Sequence, residues 1–315
     1  MTESRRVLVT GASGFIGRHA VPDLLARGYE VHTVGRRHIF DGIEVVRQHS
    51  ADLLVETEMR RLMEAIGPTH LLHLAWNVTP GQFWTALDNL DWVAASLRLA
   101  RVFAQVGGRR AVYAGTCAEY DWSHALLDEA QTPLVPATLY GTAKRALHSL
   151  LESAANQTHV STAWGRIFFL YGSNEAPTRL VAHVITALLQ GQPALCSPCT
   201  QERDLMHVED VARAFVSVLE SDWEGPVNIA SGTCLPLSDA VLMIGELTGR
   251  PHLVRLGARP MPANEPRRLA AATDVLNNRI GFRPRYELRD GLEATVNWWQ
   301  SRLEPAVGAS ACVGT

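Results

Sequence analysis

No apolar run in these 315 residues approaches the roughly 20 residues of a bilayer-spanning helix, and no stretch resembles the apolar core of a secretory leader. The opening MTESRRVLVTG passes straight into a strand-like run, so a soluble cytoplasmic protein with no membrane partner is expected. A basic excess is lacking too. Lys and Arg number 29 against 32 Asp and Glu, a formal charge of -3, which gives nucleic acid no electrostatic hold and leaves a small molecule as the expected partner. Cysteine is scarce and odd in number: Cys117, Cys196, Cys199, Cys234 and Cys312 read as reduced thiols rather than a disulfide framework. Metal-binding patterns are incomplete. Cys196-Ser-Pro-Cys199 has no second pair, and His70 and His73, three apart on a strand, point to opposite faces, so no metal is expected. Internal repeats and low-complexity blocks are also absent.

What is present is a core-forming apolar content of 47% arranged in alternating patterns. RRVLVTG, YEVHTVG, HLLHLAW, RRAVYAG and VSTAWGRIFFLYG read as strands. Helical patterns near 15–27, 56–66, 89–105 and 138–153 lie between them. This alternation predicts an α/β fold, a doubly wound parallel Rossmann sheet with a smaller C-terminal substrate-binding domain. Residues 1–172 form the dinucleotide-binding domain, with returning segments near 206–232. Residues 173–205 and 233–304 form the smaller domain, and 305–315 a flexible tail.

Gly11, Gly14 and Gly17 stand three apart between an apolar strand and a helix. A pyrophosphate site needs that context, because the backbone must come close and helix-end N–H groups must face the ligand. A carboxylate at the end of the second strand would hold the adenosine ribose hydroxyls, whereas arginines accept a 2'-phosphate. Here Arg36 and Arg37 follow Thr33-Val-Gly, so NADP(H) is the preferred expectation and NAD(H) the other. Asp52 fits an adenine contact or an ordinary helix N-cap.

Tyr140 and Lys144, four apart on a helical pattern, share a face. A phenol works as an acid or base near neutrality if its pKa of about 10 falls by roughly three units, which takes about 4 kcal/mol. An ammonium about 4 Å away at an effective dielectric near 20 supplies that much, so Lys144 is expected to activate Tyr140. Thr116, at the exit of a strand, offers a hydroxyl for a reacting carbonyl or for a turn.

Taken together, TGASGFIG, HLAW, GTCAEY, YGTAK, RDLMHVEDVARAF, NIASG and GFRPRYELRDGLEATVNWW resemble the extended short-chain dehydrogenase/reductases, the NAD-dependent epimerase/dehydratase family, over nearly the whole chain. The resemblance implies an NAD(P)-dependent oxidoreductase acting on a nucleotide sugar. It implies Thr116, Tyr140 and Lys144 as catalytic residues. For the cofactor it implies Gly11, Ser13, Gly14, Phe15, Ile16 and Gly17, with Asp52, Leu53, Leu74, Ala75, Trp76, Tyr140 and Lys144. On the substrate side it implies Thr116, Cys117, Ala118, Phe169, Arg203 and Arg267 or Arg268. Trp84, Trp92 and Trp122 flank segments near the cleft, as stacking surfaces or packing. The helices near 89–105 and 138–153, with Leu90, Val93, Leu97, Val102, Leu147 and Leu151, match those that pair across a dimer axis in the family, so a homodimer is expected.

Three departures narrow the chemistry. Sugar 4,6-dehydratases carry Asp-Glu after the catalytic Thr, where Cys117 and Ala118 stand here. Enzymes epimerising at C3 and C5 place a cysteine where Ala118 stands. Phe169 replaces an Asn that contacts the diphosphate-sugar. The leading expectation is NADPH-dependent reduction of a C4 keto group on a nucleotide-linked deoxysugar. The alternatives are an NAD-dependent nucleotide-sugar 4-epimerase, a reductase of a non-nucleotide carbonyl compound, and a non-catalytic NADP sensor.

Overall fold

Runs of four to seven residues, most of them β-branched or apolar, give the strands β1 (Arg6–Thr10), β2 (Glu30–Gly35), β3 (Val46–Ser50), β4 (His70–His73) and β5 (Arg110–Thr116). The intervening amphipathic segments form α1 (Gly17–Ala26), α2 (Glu56–Ile66) and α3 (Asp88–Gln105). After β6 (Leu126–Leu127) come α4 (Leu139–Thr158), β7 (Ser161–Ile167), β8 (Phe169–Tyr171), α5 (Leu180–Leu189), β9 (Ala194–Leu195) and β10 (Glu202–His207). The remainder supplies α6 (Val208–Glu220), β11 (Gly225–Ile229), β12 (Cys234–Pro236), α7 (Leu237–Leu247), β13 (Val254–Arg255), β14 (Arg268–Ala271) and α8 (Leu288–Leu303). This computed structural model describes residues 5–36, 39–40, 43–261, 263 and 265–303; the predicted tail from 305 and Arg37 lie outside the described residues.

Seven strands form one parallel sheet in the order β11-β7-β5-β4-β1-β2-β3. The order reverses between β1 and β4, and a crevice opens there at the carboxyl ends of the strands, where doubly wound sheets bind ligands. Every residue of β5 is buried, as expected for a strand covered on both faces. One apolar layer, with α1 and α6, packs on one face around Val9, Val21, Val211 and Phe215; α2, α3 and α4 close the other around Leu71, Met59, Leu99 and Trp164.

A second sheet runs β12-β10-β14-β6, with β8 also paired to β10. The run VSTAWGRIFFLYG, read as one strand, is therefore two. The chain leaves the main sheet at Phe168, whose N–H donates to Ile229, and β8 joins the second sheet beside β10. Likewise the segment from residue 206 divides: β10 stays in the second sheet, while α6 and β11 return to the first. α4 outlasts its predicted end at 153 because Ala154 and Ala155 sustain it; it stops where His159 takes a left-handed φ of 55°. Asn228 of β11 clasps the two sheets, accepting from Tyr120 Oη and donating to the carbonyls of Leu127 and Ala272.

Candidate functional site

The crevice is a cleft of about 1160 Å³ that runs from the glycine turn, past the ends of β4 and β5, to the first turn of α5. The turn has no room for side chains. A Cβ at Gly11, whose φ is +70°, would meet Ala75 N at 2.7 Å, and one at Gly17 would meet Gly11 O at 2.3 Å. Gly17 therefore packs helix on strand, and Gly11 lets the turn lie against the Leu74-Ala75 backbone. Ser13, Gly14, Phe15, Ile16, Arg36, Asp52, Leu53, Leu74, Ala75 and Trp76 all line the same cleft. Asp52 Oδ1 accepts from Leu54 N in a local turn; it is not the helix N-cap of the second alternative, because Val55 stands at that position of α2, and Asp52 lines the cleft. A dinucleotide fits these residues: the glycine turn lines the cleft and leads directly into the N-terminus of α1, where backbone N–H groups favour a pyrophosphate.

Glycine also sets the other half of the site. A Cβ on Gly141 would lie 2.3 Å from Ala118 O, so only glycine lets the first turn of α4 abut the short 3-10 turn Cys117–Glu119. Thr138 caps α4 by accepting from Gly141 N at 3.1 Å, and Tyr140 N donates to Trp84 O. These contacts bring Tyr140 against Thr116, with a hydrogen bond between the two side chains. Thr116 is itself held by a reciprocal cap: its Oγ1 accepts from Ala118 N at 3.2 Å, and its N–H donates to Glu119 Oε1 at 2.8 Å. Glu119 is fully buried and takes Trp164 Nε1–H and, at 2.9 Å, Arg166 Nε–H.

Lys144 is the only lysine in the chain; every other basic side chain of the Lys-Arg set is arginine. Its Nζ donates to Ala114 O at 2.8 Å and sits 3.6 Å from the centre of the Trp76 ring. The expected activation of Tyr140 by this ammonium has no counterpart among the influences on the phenol. Sharing a helix face does not by itself place two side chains in contact, and Lys144 reaches to β5. Burial pushes the Tyr140 phenol up, and the hydrogen bond to Thr116 is the largest influence drawing it down. Burial also lowers Lys144, to about 7.

Around Tyr140 the cleft is walled by rings. Phe83 lies 4.9 Å, Trp84 5.8 Å and Trp76 6.4 Å from it, centre to centre. Trp92 and Trp122 line the cleft as well, Trp92 stacked on Trp76 and Trp122 edge-on to Trp84, so the two proposed uses of these tryptophans coincide.

The expected substrate residues divide. Thr116, Cys117 and Phe169 line the cleft. Ala118 does not, because it is buried beneath Gly141. Arg203, 1% exposed, does not line the cleft, although both groups that hold it do: it pairs with Glu265, and its guanidinium lies 5.2 Å over the Phe169 ring. Arg267 and Arg268 border a separate depression with Trp122 and Glu202, and Arg268 pairs with Glu202. The long-range carboxylates that claim these arginines are not visible in local sequence. Sequence reading also passed over Phe83, Glu119, Glu175 and Arg179. An acidic residue four before an arginine, immediately ahead of an apolar helix, was the available signal for the last two.

Cys196 and Cys199 are buried free thiols in a loop, with Cys196 donating to the Cys199 sulfur and so raising its own pKa and lowering its partner's. No helix among the described residues is long and apolar enough to cross a membrane.

Comparison with known proteins agrees with this layout. The chain is 25% identical over 344 aligned positions to the UDP-glucose 4-epimerase of Azospirillum brasilense, covering 99% of this chain and 96% of that protein. Among solved structures, MoeE5 in complex with UDP-glucuronic acid and NAD is 29% identical, with a TM-score of 0.82 and coverage of 95% of this chain and 100% of the other. The Thermus thermophilus UDP-glucose 4-epimerase complex with NAD is 25% identical, with a TM-score of 0.78, covering 94% and 99%. The model of the NAD dependent epimerase/dehydratase family matches residues 7–230, and the chain belongs to that family.

Proposed function

We propose that the protein is an NAD-dependent nucleotide-sugar 4-epimerase, which oxidises C4 of the sugar and returns the hydride to its other face. The observation that carries this is the gathering of Thr116, Tyr140 and Lys144 in one cleft with the glycine turn. The dinucleotide supplies a hydride acceptor and donor. Tyr140 takes the proton of the C4 hydroxyl on oxidation and gives it back on reduction, with Thr116 holding the oxygen. Lys144, anchored on Ala114 and lining the same cleft, would hold the ribose of the bound cofactor.

The ring-lined wall around Tyr140 suits the turnover of a keto intermediate. Phe83, Trp84 and Trp122 offer faces to stack on and few hydrogen bonds that fix one orientation, so a sugar can present either side. The relatives named as UDP-sugar epimerases support this reading over the expected ketoreductase. One observation favours the reductase as a second reading: Arg36 lines the cleft at the exit of β2, and the described strand end carries no acid, a setting that accepts a 2'-phosphate.

A single assay separates them. Incubated with NAD and UDP-glucose, UDP-glucuronic acid or UDP-N-acetylglucosamine, the protein is expected to form the C4 epimer with no net change in nicotinamide absorbance. Stoichiometric NADPH oxidation by a 4-keto sugar nucleotide, without epimer formation, would establish the reductase instead. The homodimer remains a proposal. Val102, Leu147 and Leu151 belong to the core, but Leu87 and Leu90 on the edge of α3 and Leu150 on α4 are exposed apolar side chains at the expected face.

A further inference from the structure

Glu175 follows β8, is 7% exposed and lines the cleft. Its Oε2 is buried without a hydrogen-bond partner among the described residues. The N–H groups of Gly172 and Ala182 face the carboxyl, yet burial outweighs them and pushes its pKa up to about 8. At neutral pH this side chain is an acid with an O–H to give.

The surroundings indicate what would accept that O–H. Ala182 lies in the first turn of α5, a helix of 10 residues whose N-cap, Arg179, makes no side-chain cap. Arg179 is exposed, lines the cleft, and stands 5.8 Å from the centre of Phe83, which touches Tyr140. Arg203 and Arg268, expected on the substrate side, are already paired with Glu265 and Glu202. A substrate reacting at Tyr140 therefore brings an anionic group toward Arg179, the helix end and Glu175.

We propose that the carboxyl of Glu175 binds a phosphate group of the substrate as a hydrogen-bond donor, beside Arg179 and the first turn of α5. The proposal rests on the nucleotide-sugar reading. Protonated, Glu175 gives its O–H to a phosphate oxygen; deprotonated, it becomes a like charge in contact with the same oxygen. The groups around it leave this titration legible. Arg18 of α1 is held by Asn174, and Arg179 is the neighbouring guanidinium that acts on the Glu175 carboxyl. His19 of α1, which contacts Ser173, His183 of α5, and His207 of β10 beside Gly172 are all pushed down by burial, so they are neutral above pH 7. Among the described residues, Lys144, at about 7, shares the cleft and the window.

The test is calorimetric titration of the NAD-loaded protein with uridine diphosphate and with uridine, at pH 7 and pH 9, for wild type and Glu175→Gln. Wild type is expected to bind the diphosphate about tenfold more weakly at pH 9, where about one-tenth of a group titrating near 8 keeps its proton. Glu175→Gln retains an N–H donor, so it should match wild type at pH 7 within about twofold and lose most of the pH response. Uridine should show no difference between the two proteins. An equal pH response in both proteins, or the same difference with uridine, overturns the role of Glu175 while leaving the nucleotide-sugar reading intact. Failure of wild type to bind uridine diphosphate at pH 7 overturns that reading and this proposal with it.

Discussion

Tyr140→Phe is expected to lower turnover by about 10²- to 10⁴-fold, the range that a positioned proton donor or acceptor contributes. The substitution keeps the ring, and with it the edge contacts to Phe83, Trp84 and Trp76, so the fold and the cleft wall should survive. What is lost is the hydroxyl bonded to Thr116. Burial holds that phenol above its ordinary value, so the phenolate that takes the C4 proton is a minority form near neutrality, and removing the hydroxyl removes it altogether. Steady-state epimerisation rates, measured beside NAD binding and a thermal melt, check this. A variant with wild-type turnover would remove Tyr140 from the chemistry, and would fit a protein that senses the cofactor without reacting.

The second large effect is expected at a residue that no substrate touches. Glu119→Ala should destabilise the fold by about 3–5 kcal/mol, because it strands Arg166 as a buried charge without its carboxylate. Both side chains are within 1% of full burial, and their contact is 2.9 Å. Arg166 would keep only Tyr120 Oη and His148 as side-chain partners. The same substitution removes the acceptor for Thr116 N–H, so turnover of the folded fraction should fall as well. Denaturant unfolding gives the first number. Loss of less than about 1 kcal/mol would show that water or a rearranged neighbour compensates Arg166.

Local spacing made half of the site readable in advance. The glycine turn and the Tyr140, Lys144 and Thr116 set are fixed by one strand-to-helix turn, one helical repeat and one strand exit. Each of those depends on a few neighbouring residues. Contacts across the fold were not readable in this way. Glu265 claims Arg203 from 62 residues away, and Glu202 claims Arg268 from 66, so side chains that look available in sequence are neutralised in space. The same applies to Phe169. Its strand looks continuous with β7, but pairing with β10 carries it into the second sheet. The electrostatic reading of Tyr140 needs a separation that helical periodicity does not set: periodicity fixes directions, whereas the reach of Lys144 to Ala114 depends on where β5 passes.

A chain that uses arginine at every basic position but one leaves a single ε-amine, and it lies inside the cleft. The unmodified protein thus carries a built-in spectroscopic reporter. Reductive methylation with isotope-labelled formaldehyde would place one side-chain resonance on Lys144, distinct from that of any terminal amine. Its chemical shift should titrate with a midpoint of about 7 and respond to occupancy of the neighbouring cofactor turn, without any engineered label.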